Sequence, residues 1–182
     1  MKKLKTFEGF FDFFEKSDEQ KLKSAKNKVI GLCNLYLIGD SSIGKRFRVN
    51  DDLSVDVYCH VDLSGLKLTK LPVKFNKVNG DFNCSNNQLT SLEGAPKEIN
   101  GDFNCSNNQL TTLVGSPQIG VERFDCSKNE LTSLEGSPKK VYVFDCRDNK
   151  LTSLDGAPTV SGTSPSGVPY LFYVGNNISL SS

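Results

Sequence analysis

Apolar and polar positions alternate at Phe82, Asn83, Cys84 and Ser85, then give way to a polar turn and two further apolar positions, Leu89 and Leu92. The alternation predicts a short strand with one buried and one wet face. Gly94-Ala95-Pro96 closes the unit; proline presets φ and glycine accepts positive φ, so the chain reverses there. The same order returns almost unchanged from Asp102 to Leu113, and with substitutions from Phe124 to Leu134 and from Phe144 to Leu154. Asn87, Asn108, Asn129 and Asn149 mark the period, at spacings of 21, 21 and 20. Each falls where a strand ends, and a side-chain amide there both donates and accepts to backbone groups that the bend leaves unpaired.

A single coil of this kind cannot bury its own Phe, Cys and Leu side chains. Coils must therefore stack, their strands ~4.8 Å apart in a parallel sheet and their asparagines in a ladder. The stretch from Leu92 to Phe103 is too short for a regular helix on the far side. The expected architecture is a mainly β solenoid with parallel strands on one face and little or no regular helix on the other.

The aromatic-x-Cys-Ser-x-Asn-x-Leu-Thr-Ser-Leu-x-Gly-x-Pro unit resembles leucine-rich repeat proteins of the short bacterial and tailed-phage type, over residues 78–158. Val61 to Pro72 reads as a degenerate unit in the same register, with Leu63 at the Cys place and Leu66 replacing the Asn. Asn50 to Val57 alternates like an entry strand, and Leu171 to Ile178 reads as a last, imperfect coil after a Gly/Ser/Pro insertion at 161–169. The resemblance implies a phage-encoded repeat protein whose work is binding.

The N-terminal region carries two apolar patterns. Val29, Ile30, Leu32, Cys33, Leu35 and Tyr36 are compatible with a short helix capping the first coil. Further upstream, Leu4, Phe7, Phe11 and Phe14 share one helical face, widened by Phe10 and Phe13, with Glu8, Asp12, Glu15 and Lys16 opposite. That face has three placements open to it: against its own solenoid, in a groove of a partner, or on a membrane surface, the last poorly served by the acidic residues. Lys5-Thr6-Phe7-Glu8-Gly9-Phe10 is also similar to the opening of phage internal head proteins, whose peptides direct cargo into the prohead. Those peptides are removed after Leu/Ile-x-Glu, and Phe13-Phe14-Glu15 lacks the aliphatic residue. Three segments follow: 1–23, a Phe-rich helix or docking tail; 24–50, a cap helix and connecting loop; and 51–182, the solenoid.

Composition narrows the chemistry. With 182 residues, 37% hydrophobic and 24% charged, the chain has enough core to fold without staples, and no apolar run approaches the length of a membrane span. Acidic residues interrupt the basic N-terminus where a signal peptide needs an apolar stretch, so a cytoplasmic location with reduced thiols is expected, or a virion if the protein is packaged. The net charge of +1 conceals 11 basic against 6 acidic residues in 1–50 and 11 against 15 in 51–182. Lys21, Lys23, Lys26 and Lys28 read as a solvated helix or linker rather than a nucleic-acid patch.

Candidate catalytic and ligand-binding motifs fail one by one. Gly39 to Lys45 has phosphate-loop spacing, but Arg46 replaces the Ser/Thr that would hold Mg²⁺, and Phe47 to Asp56 looks extended rather than helical. Cys84, Cys105, Cys126 and Cys146 take the same inward place in successive coils. Parallel Cβ vectors ~4.8 Å apart exceed the ~3.8 Å of a disulfide, and a row does not converge on one metal. His60 is the only imidazole. No catalytic residue, metal or cofactor is expected.

What is left is a surface. The outward strand positions are Asp81, Asn83 and Ser85; Asp102, Asn104 and Ser106; Arg123, Asp125 and Ser127; and Val143, Asp145 and Arg147. Aromatic and Arg anchors concentrate binding energy, which points to the later coils. The candidate partner-binding residues are Arg123, Asp125, Tyr142, Val143, Asp145 and Arg147, together with Phe7, Phe10, Phe11 and Phe14. The expected function is a non-catalytic protein–protein interaction module. The alternative is a structural or internal virion protein held in the particle through the Phe-rich helix or the solenoid.

Overall fold

Phe82, Phe103, Phe124, Phe144 and Phe172 stack ring on ring, with centroids 5.5, 5.3, 5.8 and 5.3 Å apart, down the interior of a parallel β solenoid. The structure is a computed structural model that describes residues 4–36, 46–160 and 171–177, with side chains of the first helix from Asp18 to Leu35. In chain order the elements are α1 (Leu4–Tyr36), β1 (Phe47–Val49), β2 (Val55–Val57), β3 (Val61–Asp62), β4 (Phe75–Val78), β5 (Phe82–Asn83) and β6 (Glu98–Asn104). They continue with β7 (Ile119–Asp125), β8 (Lys140–Val141), β9 (Val143–Asp145), β10 (Thr159–Val160) and β11 (Leu171–Tyr173).

Each coil contributes to two rows of strands rather than one. The Phe row runs β3, β5, the end of β6, the end of β7, β9 and β11, all parallel. A second row runs β2, β4, the start of β6 and the start of β7, and continues into β8 and β10. Val57, Val78, Ile99, Val121 and Val141 point its apolar side inward. The far side is thus extended, as the spacing implies, but its hydrogen bonds are a ladder in their own right. β6 and β7 pass through the bend between the rows unbroken, with two compensating register shifts: β6 carries the extra residue between Glu98 and Gly101, and β7 the extra residue between Val121 and Phe124. At Gly120 φ is +76°, and a Cβ would lie 1.8 Å from the Ile99 carbonyl oxygen, so only glycine fits.

The core is the one the pattern predicts. Phe82, Cys84, Leu89 and Leu92, and their counterparts through Leu134, are fully buried, and Leu63 fills the Cys place of the degenerate coil. The asparagines form the expected ladder, and Asn177 extends it by one rung: Asn87, Asn108, Asn129 and Asn149 each donate Nδ2 to carbonyls of their own and the preceding coil. Their Oδ1 atoms accept from Leu68, Leu89, Leu110 and Leu131 N–H. The residue before each rung, Asn86, Asn107, Lys128, Asp148 and Asn176, is left-handed, with φ from 53° to 60°. Asn and Asp tolerate that conformation through local side-chain hydrogen bonds, which accounts for the Asn-Asn pairs in the best-preserved repeats.

The N-terminal end differs from the segmental reading. The two apolar patterns belong to one continuous helix of 33 residues, α1, with no break near residue 23. Its later turns pack Val29 and Cys33 on the core, and Lys26 ties to Asp51 at 2.7 Å. β1 then pairs antiparallel with β2, Phe47 opposite Val57 and Val49 opposite Val55. Phe47–Val49 and Val55–Val57 are accordingly extended about a turn in which Leu53 is left-handed, and β2 is paired on both sides, with β1 and β4. No helix of the described residues is long and apolar enough to cross a membrane. The phosphate-loop-like segment and the Gly/Ser/Pro insertion lie outside the described residues.

Candidate functional site

The outer face of the Phe row is locked laterally by side chains that reach from one coil to the next. Asp81 N–H donates to His60 Nδ1 at 3.0 Å, Asp102 N–H to Asp81 Oδ1 at 2.8 Å, and Arg123 N–H to Asp102 Oδ1 at 3.2 Å. These residues stand just before each inward aromatic or Val61, at the bend where a strand N–H lacks a strand partner. The Asp81 and Asp102 carboxylates, outward strand positions in the sequence, therefore act as intercoil caps.

A second column turns inward on its own coil. Asn83 Oδ1 accepts from Ser85 N–H at 3.1 Å, Asn104 Oδ1 from Ser106 N–H at 3.0 Å and Oγ at 2.8 Å, and Asp125 Oδ1 from Ser127 N–H at 3.1 Å and Oγ at 2.7 Å. These are turns closed by an Asn or Asp side chain on the backbone two residues on. Between the two columns lies a shallow recess of about 310 Å³ lined by Asp81, Asn83, Asp102, Asn104, Arg123 and Asp125. Burial, reinforced by the neighbouring Asp81 carboxylate, raises the pKa of Asp102.

The candidate residues scatter. Arg123 is exposed beside Asp125, with Nη2 to Oδ2 at 3.6 Å, and both line the recess. Tyr142 sits away from it, at the bend, beside Ile119, Gly120 and Lys140 in a separate groove of about 570 Å³. Val143 and Asp145, expected to face outward, are buried. The last coil is the reason: β11 lays Leu171 beside Val143 and Tyr173 beside Asp145. Arg147 closes over Asp145 with Nε and Nη2 at 3.0 and 2.7 Å, and its guanidinium lies 4.8 Å from the centre of the Tyr173 ring. Arg147 is exposed but committed to that carboxylate, which holds its guanidinium more firmly charged. Phe7, Phe10, Phe11 and Phe14 fall in α1, and their side chains lie outside the described residues. Asp81 and Asp102, outward strand positions outside the candidate set, are brought to the recess; the signal in the sequence is their recurrence 21 residues apart, one coil apart in space.

Reactive groups inside the solenoid are closed off. The six cysteines are free thiols, and Cys84, Cys105, Cys126 and Cys146 line up without bonding. Desolvation raises all four, Cys84 and Cys146 to about 12. Thiols so held are not nucleophiles. Among the described residues no group of three or more His, Cys, Asp or Glu is arranged to hold a metal.

The chain matches no protein-family model, and no curated protein or solved structure is significantly similar to it.

Proposed function

We propose that the chain is a non-catalytic protein–protein interaction module, phage-encoded, that engages a protein partner through the outer face of its Phe row. The observation that carries this reading is the lateral locking of that face. Asp81, Asp102, Asn104 and Asp125 are each held by a backbone N–H, so they are already ordered before a partner arrives. An ordered face loses less side-chain entropy on association, which is what a binding surface gains from being built on a stacked sheet. The recess offers carboxylates, amides and one exposed Arg side by side, chemistry suited to a polar peptide surface.

The test compares capture of a partner from phage-infected host cells by the wild-type chain, by Arg123→Glu and by Lys139→Glu, an exposed residue away from the recess. Selective loss in Arg123→Glu supports the reading. Equal capture by all three overturns it.

A second reading, a component of the virion held through the Phe-rich segment, draws support from one observation: that segment is carried on the same continuous helix that packs Val29 and Cys33 on the core. A hydrophobic face on a helix anchored at its other end suits docking in a groove. Presence of the wild-type protein in purified particles, and its loss on deletion of residues 1–16, supports this placement; presence irrespective of the deletion refutes the helix as the anchor.

A further inference from the structure

Two arginines stand on the outer face of the Phe row, and they are used differently. Arg147 is committed: its Nε and Nη2 lie 3.0 and 2.7 Å from the buried Asp145 carboxylate, with the Tyr173 ring beside the guanidinium. Arg123 gives only its backbone N–H, to Asp102, and its Nη2 stands 3.6 Å from Asp125, beyond hydrogen-bond distance. Its guanidinium is half-exposed and makes no hydrogen bond among the described residues. The carboxylates beside it are similarly placed. Asp81 and Asp102 each give Oδ1 to the N–H of the following coil. Asp81 Oδ2 lies 3.1 Å from His60 Nδ1, the atom that already accepts Asp81 N–H. Asp102 Oδ2 has no partner and Asp102 no ion pair among the described residues. Asn83 and Asn104 use Oδ1 for Ser85 and Ser106 N–H, which leaves both Nδ2 donors free. All of these groups sit on β5, β6 and β7, flanked by the described strands β3 and β9.

Geometry and charge together select an occupant. Coils repeat at ~4.8 Å, so at the backbone Arg123 stands about 7 Å from the midpoint between Asp81 and Asp102. An extended peptide carries side chains i and i+2 on one face, about 6.8 Å apart. The carboxylate pair and the single cation therefore match two alternate side chains of one strand laid across the coils. A wholly basic segment meets Arg123, and a wholly acidic one meets Asp81 and Asp102, so each is repelled at one end. Small-molecule sites are enclosed and mostly apolar. This recess, about 310 Å³, is shallow and lined by charges and amides, which suits a protein segment.

We propose, building on the outer face as the partner surface, that the recess reads an opposed charge pair in the partner: an extended segment with a Lys or Arg and an Asp or Glu two residues apart. The cation lies over Asp81 and Asp102, and the carboxylate takes the free guanidinium of Arg123, as Asp145 takes that of Arg147. The Asn83 and Asn104 amides donate to the segment's carbonyls.

The experiment titrates the isotope-labelled full chain with two peptides of one composition, Thr-Lys-Thr-Asp-Thr and Thr-Lys-Asp-Thr-Thr, and follows backbone amide signals by NMR. The Asp102 and Arg123 N–H groups report directly, since Asp81 and Asp102 hold them. The first peptide is expected to shift both signals and to bind about fivefold more tightly than the second, the worth of one partly exposed ion pair. Asp81→Asn and Asp102→Asn keep the capping oxygens, so the unfolding midpoint is expected to hold while the first peptide weakens. Arg123→Glu is expected to reverse the choice, favouring Thr-Lys-Thr-Lys-Thr over Thr-Lys-Thr-Asp-Thr. Equal binding of the two spacings, a preference that Arg123→Glu leaves unchanged, or no shift at Asp102 and Arg123 up to millimolar peptide overturns the proposal. If Arg123→Glu nonetheless loses the partner in the capture assay, the outer face stands as the interaction surface and only the charge-pair chemistry falls; equal capture by all three chains removes both.

Discussion

Replacing Asn108 with Ala removes one rung of the ladder. Its Nδ2 donates to the carbonyls of Cys84, Cys105 and Ser106 at 3.0, 3.1 and 3.3 Å, and its Oδ1 accepts from Leu89 N–H at 3.0 Å. Four lost bonds suggest a collapse, but the carbonyls are shared. Cys84 O keeps Asn87 Nδ2 at 3.0 Å, Cys105 O keeps Asn129 Nδ2 at 3.1 Å, and Ser106 O keeps the Asn86 N–H at 3.0 Å. Only the buried Leu89 N–H loses its partner, so the expected cost is that of one unsatisfied donor, about 1–3 kcal/mol. Sharing also makes neighbours non-additive. With Asn129→Ala added, Cys105 O loses both amides, and the double variant is expected to exceed the sum of the singles by about 1 kcal/mol. The assays are urea unfolding at constant slope and amide exchange at Leu89, which is expected to accelerate selectively. An unchanged midpoint with Leu89 still protected, or strict additivity in the double variant, refutes the shared-carbonyl account.

The central ring of the aromatic stack, Phe103, lies between Phe82 and Phe124, and Phe103→Ala is expected to cost about 3–5 kcal/mol in the same unfolding assay. Lys128 holds a left-handed φ of 55° where most repeats place Asn or Asp, so Lys128→Asn is expected to raise stability by about 1 kcal/mol. A native-state thiol reagent is expected to label Cys59, half-exposed, well ahead of Cys84, Cys105, Cys126 and Cys146, which become reactive only on unfolding; mass spectrometry of the labelled chain counts the sites. The carboxylates titrate in opposite senses. Hydrogen bonds from Ser54 lower Asp52 from 3.8 to about 2, so its contribution to stability is present above 3.8 and is lost as pH falls toward 2. Burial and Asp81 raise Asp102 above 3.8, so its contribution is fullest below that value and is lost as pH rises through the raised pKa. Carboxyl-carbon NMR titration reads both, and Asp81→Asn, which keeps the oxygen that caps Asp102 N–H, is expected to bring Asp102 back toward 3.8.

Much of this molecule is legible before any coordinates. The 20- to 21-residue period, the inward Phe, Cys and Leu positions and the asparagine rungs are all determined locally, because each coil repeats the same contacts with the next. The degenerate coil around Leu63 follows by register alone. Tertiary structure decided what depends on the neighbouring coil's identity rather than its period. It made Asp81 and Asp102, outward strand positions in the sequence, caps on the following coil. It joined the two N-terminal patterns in one helix, and it buried Val143 and Asp145 beneath β11, a strand separated from them by an insertion no periodicity spans. A repeating pattern specifies which way a side chain points. Whether that side is wet depends on what stacks beside it, and at the end of a solenoid the repeat no longer says.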